Sequence, residues 1–463
     1  MNDQIEAQNQ PEDETEDDYA LRNRVVLAAV DAAEAGDRQQ LEKVLEPLHP
    51  ADIADLLEQV GSESRGMILQ LAGDYIDGEI LSEIDEDIRD EVIEALEPEV
   101  LAAAVQELES DDVVDLIEDL DEPQQEAILE VLDMVDRIAV EKALSYPEYS
   151  AGRLMQREVV IAPEHWSVGD TIDHLRANAD LPDQFYHVIL VDPRHRPTAY
   201  VTLGRIMSSR RDVLLKEITE DSFRIFEVDE EEGDVAYAFN QYHLISAPVV
   251  DGDGRLVGVI TIDDAMVVLD EEHEEDVLRL GGVGDESLSN STLEIVKRRF
   301  PWLGINLATA VLASIVISLF EDVIAAVVAL AVLMPIVASM GGNAGTQSMT
   351  VAVRALATRD LTGSNAWRVI RREAMAGLLN GMIFAVVMGL VGLVWFGQPM
   401  IGIVIAVAMV VNLLAAGLSG VLIPLALDKS GVDPALASGT FVTTVTDVVG
   451  FFAFLGLATM VLL

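Results

Sequence analysis

Cysteine is absent from the 463 residues, which excludes a disulfide framework, a thiolate metal site and a cysteine nucleophile. Basic residues are scarce: 29 Lys and Arg stand against 81 Asp and Glu, for a net charge of -52. Such a field repels polyanions and concentrates cations, so nucleic acid is a poor partner and cations are natural ones. A salt-adapted cytoplasmic protein would share this composition, so charge alone leaves cation sensing and salt adaptation open. The opening MNDQIEAQNQPEDETEDDY has neither a basic n-region nor an apolar run. No cleavable leader is expected there, and residues 1–20 read as a disordered acidic tail.

The acidity is confined. Only seven acids follow residue 300: Glu321, Asp322, Asp360, Glu373, Asp428, Asp433 and Asp447. The two parts of the chain therefore face different solvents, within a length that suits about three domains of roughly 150 residues each. From Val25 to Leu144 apolar residues recur at helical spacing, with acids on the other faces. The segments at 45–60, 81–96, 105–120 and 129–144 resemble one another at offsets of 36, 24 and 24 residues. A period near 24 with a polar turn inside each unit predicts a helical solenoid over 21–147.

Near Ser150 the texture becomes β-rich. VVIAP, HVILVD, TAYVTL, FRIFEVD, SAPVVD and LVGVITI alternate with helical stretches, predicting an α/β region over 148–270 made of two similar halves. The turn DGDG at 251–254 lacks the ligand spacing and closing Glu of a calcium loop, so a hairpin turn is expected. A charged helical stretch over 271–300, with a GGVG hinge, leads into apolar sequence.

Five spans are expected at 302–320, 324–349, 375–396, 400–425 and 436–461, each near the ~20 residues that cross a bilayer core. The basic loop residues Lys297, Arg298, Arg299, Arg354, Arg359, Arg368, Arg371, Arg372 and Lys429 fall on one side. By the positive-inside rule the N-terminal part is cytoplasmic and the C-terminus lies outside. Polar residues inside the spans are the candidate pathway. Asp447 lies near the middle of the last span beside Thr443, Thr444 and Thr446, with no basic residue at comparable depth. The second span carries MPIVASMGGNAGTQS, where Pro335 and three glycines are expected to weaken the helix beside Asn343, Thr346, Gln347 and Ser348. Asn412 and Ser419 are weaker candidates. Carboxylate, amide and hydroxyl oxygens without thiolate or imidazole suit a hard divalent cation held through its waters, such as Mg²⁺.

With these segments in this order, the chain resembles the MgtE family of magnesium channels from about residue 25 to the C-terminus. The resemblance is carried by PIVASMGGNAGTQS (335–348), RALATRDL (354–361) and DPALASGTFVTTVTDVVG (433–450), with YPEYSAGRLM (146–155) and LVGVITIDD (256–264) in support. It implies a multidomain membrane protein with an all-α superhelical N domain, an α/β tandem CBS pair, a connecting plug helix and a five-helix transmembrane domain over 301–463. It further implies a homodimer in the plasma (inner) membrane with the pore on its two-fold axis, and Mg²⁺ as both transported and regulatory ion.

Carried over by position, Asp447 is the pore carboxylate, Gly439, Thr443 and Asn343 line the pore, and Asp433 stands at its cytoplasmic end. Asp264, Glu272, Glu275, Asp276 and Glu231 match sensing carboxylates, as do Asp111, Asp112 and Asp115 in the N domain. His243 and Gly233 stand where the family has acids. The resemblance also brings ATP between the CBS modules into view, which the surrounding charge and the lack of a phosphate loop disfavour. Two other readings stay open: a Na⁺- or H⁺-coupled Mg²⁺ transporter, and a membrane-anchored Mg²⁺ or nucleotide sensor that passes no ions. An enzyme is not expected, because no catalytic constellation is visible.

Overall fold

The computed structural model describes residues 21–118, 120, 122–178, 181–182, 184–220, 223–283 and 292–462. The expected acidic tail over 1–20 and part of the GGVG hinge segment lie outside them. The chain divides into two units, Met1–Glu271 and Glu272–Leu463.

The first unit opens with ten helices: α1 (Asn23–Glu34), α2 (Arg38–Leu45), α3 (Pro50–Gln59), α4 (Ser62–Ala72), α5 (Gly78–Ser82), α6 (Glu86–Ala95), α7 (Pro98–Glu107), α8 (Ser110–Glu118), α9 (Glu122–Val131) and α10 (Met134–Ala143). Helices start at 38, 50, 62, 86, 98, 110, 122 and 134, a twelve-residue grid whose missing member falls in the 3-10 turn Gly73–Tyr75. The 24-residue sequence repeat is thus a pair of helices. Helices two places apart pack together, α2 on α4, α4 on α6, α7 on α9 and α8 on α10. Their Leu, Ile and Val side chains form one continuous core.

The fourth residue of three helices supplies a repeated tie. Arg65 donates to the carbonyls of Leu57 (2.8 Å) and Val60 (3.0 Å). Arg89 donates to those of Ile84 (3.2 Å) and Asp115 (2.8 Å), and Gln125 to those of Ile117 (2.8 Å) and Leu120 (2.9 Å). Helix ends leave carbonyls without partners, and the buried Arg65 and Arg89 and the half-buried Gln125 satisfy them. Arg65 and Arg89 also reach the carboxylates of Glu91 and Asp115.

After α11 (Ala151–Leu154) come two three-stranded sheets of one topology. The first orders β1 (Ile161–Pro163), β2 (His187–Val191) and β3 (Pro197–Thr202), the second β4 (Phe226–Glu227), β5 (Ser246–Val250) and β6 (Leu256–Thr261). In each, a parallel pair is followed by an antiparallel hairpin. The helices are α12 (Val168–Ala177), α13 (Leu203–Ser208) and α14 (Glu232–Tyr242). The expected hairpin at 251–254 is present. The Asp251 carboxylate accepts from the backbone of Asp253 and Arg255, just as Asp192 accepts from Arg194 and Arg196 in the other half. These acids are turn-formers, with their bonding committed to the loop.

Helix α15 (Ile262–Gly281) follows β6 and ends before Gly282, whose φ of +72° suits a helix C-terminus. The second unit contains α16 (Thr292–Ser318), the short α17 (Glu321–Ala326), α18 (Ala329–Ala357), α19 (Ala366–Phe396), α20 (Pro399–Asp428) and α21 (Pro434–Leu462). Five of these are long and apolar enough to cross a membrane. The second span therefore starts at 329 instead of 324, because α17 takes up the preceding residues. Helix α20 is the hub, packed on α18, α19 and α21. Glycines permit the close approach: a Cβ at Gly377 would lie 2.5 Å from the carbonyl of Leu413, and one at Gly417 would lie 2.7 Å from that of Glu373.

Candidate ion path and carboxylate clusters

Helix α21 presents two adjacent stripes. Ser438, Val442, Thr446 and Gly450 are buried at four-residue intervals, while Gly439, Thr443 and Asp447, one position on, are half-buried. The buried stripe fits glycines of α18, since a Cβ at Gly345 would meet Val442 and Thr446. The half-buried stripe brings together the three expected pore residues of this helix, and Gly342 faces Thr443. Thr443 and Thr444 donate to carbonyls one turn back. With their protons committed to the helix, the hydroxyl oxygens are left as outward acceptors. Asp447 has no hydrogen-bond or ion-pair partner among the described residues. Asn343 is exposed and donates to Ser339.

Two expectations need correction. Helix α18 runs unbroken through the glycine-rich segment despite Pro335. Gly341 and Gly345 serve contact between helices there, not a break in the helix. Asn412 and Ser419 are buried, at 0% and 6% exposure, so neither lines a path. Glu373 was missed: its side chain is 16% exposed in α19 and accepts from Ser348 at 3.1 Å. The run Arg368, Arg371 and Arg372 made it read as loop, and the signal was the polar Ser348 closing the glycine motif.

Below the bundle, Arg279 of α15 bonds Glu275 (2.6 Å) and Asp433 (3.2 Å). Asp276 lies on the same turn; burial and then the Asp433 charge push its carboxyl up. Leu280 packs against a core of Met349, Val353, Ala435 and Val442. Three of the expected acids, Glu275, Asp276 and Asp433, thus meet around one guanidinium. Glu272 is exposed one turn earlier on α15.

The first unit holds a more crowded group, where α8 packs on α11. Ser110 donates to Glu158 at 2.9 Å, Gln156 donates to Glu109, and Arg153 pairs with Glu118 at 2.7 Å. Burial, then repulsion from Glu158 and Asp264, pushes Glu109 up to about 7. Asp264 also rises to about 7, mainly through burial, although Thr261 donates to it at 2.7 Å. Asp112 rises to about 6 through burial and Glu109. The buried Asp111 is pushed well above the carboxylate range by burial and then Asp264. Of the expected sensors, Asp111, Asp112 and Asp264 are therefore mutually coupled. Asp115 pairs with Arg89, and Glu231 is exposed at the start of α14. His243 takes a left-handed conformation (φ 53°) closing that helix. Gly233 lies in its first turn. The group suits a cation in charge, yet no three His, Asp or Glu side chains among the described residues converge closely enough to hold a metal.

Comparison with known proteins matches the same segments. Residues 334–457 fit the MgtE divalent cation transporter model, 48–149 the MgtE intracellular N domain, and 216–271 the CBS domain. The chain is 33% identical over 449 residues to the magnesium transporter MgtE of Thermus thermophilus, covering 96% of this chain and 99% of that one. It belongs to the MgtE family of magnesium transporters. The MgtE of Enterococcus faecalis is 33% identical over 321 residues, 69% of this chain and 71% of that one. Among solved structures, the cytosolic domain of the Mg²⁺ channel MgtE in complex with ATP is similar at 28% identity and a TM-score of 0.48, covering 52% of this chain and 99% of that one. The multidomain architecture and the link to magnesium transport expected from the sequence hold for this MgtE-family chain.

Proposed function

We propose that this protein is a homodimeric, Mg²⁺-selective channel for magnesium uptake, closed by cytoplasmic Mg²⁺. The observation that carries the reading is the Asp447 carboxylate, half-buried on the Gly439–Thr443–Asp447 stripe without a partner among the described residues. A bare intramembrane carboxylate is costly unless it meets a cation. Two such stripes facing each other across a two-fold axis would offer hydrated Mg²⁺ two carboxylates and the threonine oxygens, with its waters retained. The N-terminal unit is cytoplasmic and the C-terminus outside in this reading, following the basic loops.

Regulation rests on the carboxylate groups. Glu109, Asp111, Asp112 and Asp264 repel one another, as do Asp276 and Asp433. Divalent ions binding among them offset that repulsion and favour the compact, closed form; when Mg²⁺ falls, repulsion separates the segments and α15 releases the bundle. The narrow cleft between the two sheets, lined by Tyr186, His187, Ser246 and Thr261, has room for about one water and would have to open to admit ATP. Glu158 on the same wall holds phosphate affinity low.

The test is Mg²⁺ influx into liposomes containing the purified chain, wild type beside Asp447→Ala, with internal Mg²⁺ stepped from zero to millimolar. Influx that depends on Asp447 and shuts as internal Mg²⁺ rises is expected; influx indifferent to both refutes the reading. Glu373, a second carboxylate, partly buried at the Arg372 end of α19 and paired with Arg372 at 3.4 Å, bears on an alternative, the coupled transporter. That reading requires influx to follow an imposed Na⁺ or H⁺ gradient.

A further inference from the structure

Asn412 of α20 is 0% exposed and sits where three helices meet. Its amide donates to the carbonyl of Val337 in α18 at 2.7 Å. On either side its neighbours are glycines: a Cβ at Gly341 of α18 would overlap the amide, and one at Gly450 of α21 would lie 2.8 Å from its nitrogen. Its Oδ1 is buried without a hydrogen-bond partner among the described residues. A leucine here would press a methyl against a carbonyl only 2.7 Å away, while an alanine would remove the buried unpaired acceptor at the cost of a small cavity, so packing alone does not account for the unpaired Oδ1. Something other than volume requires the amide.

The two glycines locate that requirement. Gly341 lies two residues before Asn343, and Gly450 lies three residues after Asp447, about one helical turn. We infer that Asn412 is a positioning residue for ion selection, locking α21 against α18 so that Asp447 and the Thr443 oxygen keep one fixed height and rotation. The hydrogen bond to Val337 sets the position along α18, and the two glycine surfaces hold the amide plane, leaving α21 no freedom to slide. The inference rests on the assignment of Asp447 to the ion path.

The experiment uses the full chain in liposomes with an internal Mg²⁺-sensitive dye. It reads maximal influx, the half-saturating external Mg²⁺, and the rate of Mg²⁺ entry relative to Ca²⁺. The variants are N412L, G450A, N412A/G450A and D447A, each checked for thermal stability in detergent. N412L is expected to lose some stability, because its methyls crowd the Val337 carbonyl and the two glycines, and to need about tenfold more Mg²⁺ for half-saturation, the scale of one lost buried hydrogen bond, and to discriminate less against Ca²⁺. G450A is expected to lose stability through crowding. N412A/G450A should regain stability, because the new methyl takes the vacated space, while its half-saturation stays raised. Wild-type half-saturation and discrimination in N412L or N412A/G450A would overturn the inference. So would failure of every variant at 412 to fold, which would make the residue purely architectural. D447A separates the two levels: if it leaves influx unchanged, the ion-path assignment falls irrespective of Asn412.

Discussion

Replacing Asp264 with asparagine tests whether the crowded carboxylates govern the contact between α8 and the CBS region. Asp264 titrates near 7 in this arrangement against an ordinary value of 3.8. At ~1.4 kcal/mol per pH unit this is a penalty of up to ~4 kcal/mol once the group is ionised. Asp264 is half-buried and coupled to Asp111, so screening and sharing of charge leave about 2 kcal/mol. The sign follows from the raised value. Below pH ~4 the carboxyl is protonated whether α8 is docked or free, and no penalty exists. Between about 4 and 7 the free form ionises first, so docking weakens as pH rises, and above ~7 the penalty is complete. Asparagine keeps the shape and removes the charge.

Hydrogen exchange in α8 and in residues 155–158 reads docking directly. In wild type without divalent ions, protection should be highest near pH 4 and fall by about thirtyfold toward pH 8, the equivalent of ~2 kcal/mol. Added Mg²⁺ should restore it. In Asp264→Asn, protection at pH 8 without Mg²⁺ should approach the wild-type value near pH 4, and the Mg²⁺ response should shrink. Equal exchange in both proteins at pH 8 would refute the reasoning, because the charge at 264 would then have no part in docking.

Other residues give independent checks. Arg89→Leu removes ties to Ile84 and Asp115 and should lower the stability of the helical region by about 3 kcal/mol, read by denaturant unfolding; Arg89→Lys should not rescue it, lacking the guanidinium fork. Gly420→Ala would push a methyl to 2.8 Å from the carbonyl of Gly345, costing about 1–3 kcal/mol and lowering the melting temperature in detergent. Gly439→Ala meets open space within its own chain, so it should melt like wild type while reducing influx. Arg279→Gln deprives Glu275 and Asp433 of their shared cation and should raise influx at zero internal Mg²⁺; unchanged influx there would deny Arg279 a part in closure.

Much of the architecture was legible because it follows from periodicity. The apolar helical spacing, the switch to β-rich runs near Ser150 and the five long apolar spans each reflect a local burial pattern. What periodicity could not supply was contact across elements. The 24-residue repeat was visible, but its division into two helices on a twelve-residue grid depends on Arg65, Arg89 and Gln125 reaching back to carbonyls of the preceding segment, and the three are not one residue type. Glycine in GGNAGTQS signals either a loosened helix or close packing. Only the Asn412, Val442 and Thr446 side chains opposite decide for packing. The stripe of Gly439, Thr443 and Asp447 follows from helical spacing alone, whereas Asn412 read as a lesser pathway polar because burial by three helices leaves no trace in linear sequence. Glu109 escaped notice among dozens of acids for the same reason.

The two explanations for the acidic composition separate by position. Salt adaptation calls for carboxylates that face water, and the many exposed Asp and Glu of α1 to α10 meet that demand at little cost. It gives no reason to bury Asp111, or to crowd Glu109, Asp112 and Asp264 beside it until their carboxyls titrate at about 6 or higher. Burial first, and repulsion with it, lower the stability of the docked form at neutral pH, so the arrangement persists only where an undocked state, or a cation that cancels the charge, has a use. The cluster at α15 differs in carrying its own cation, Arg279, so its dependence on external ions should be weaker than that of the α8 group. A chain built only for salt tolerance would have no such gradation. Loss of docking in 2 M NaCl without Mg²⁺ would point the same way: screening at that ionic strength would relieve surface repulsion while leaving the buried carboxylates uncompensated.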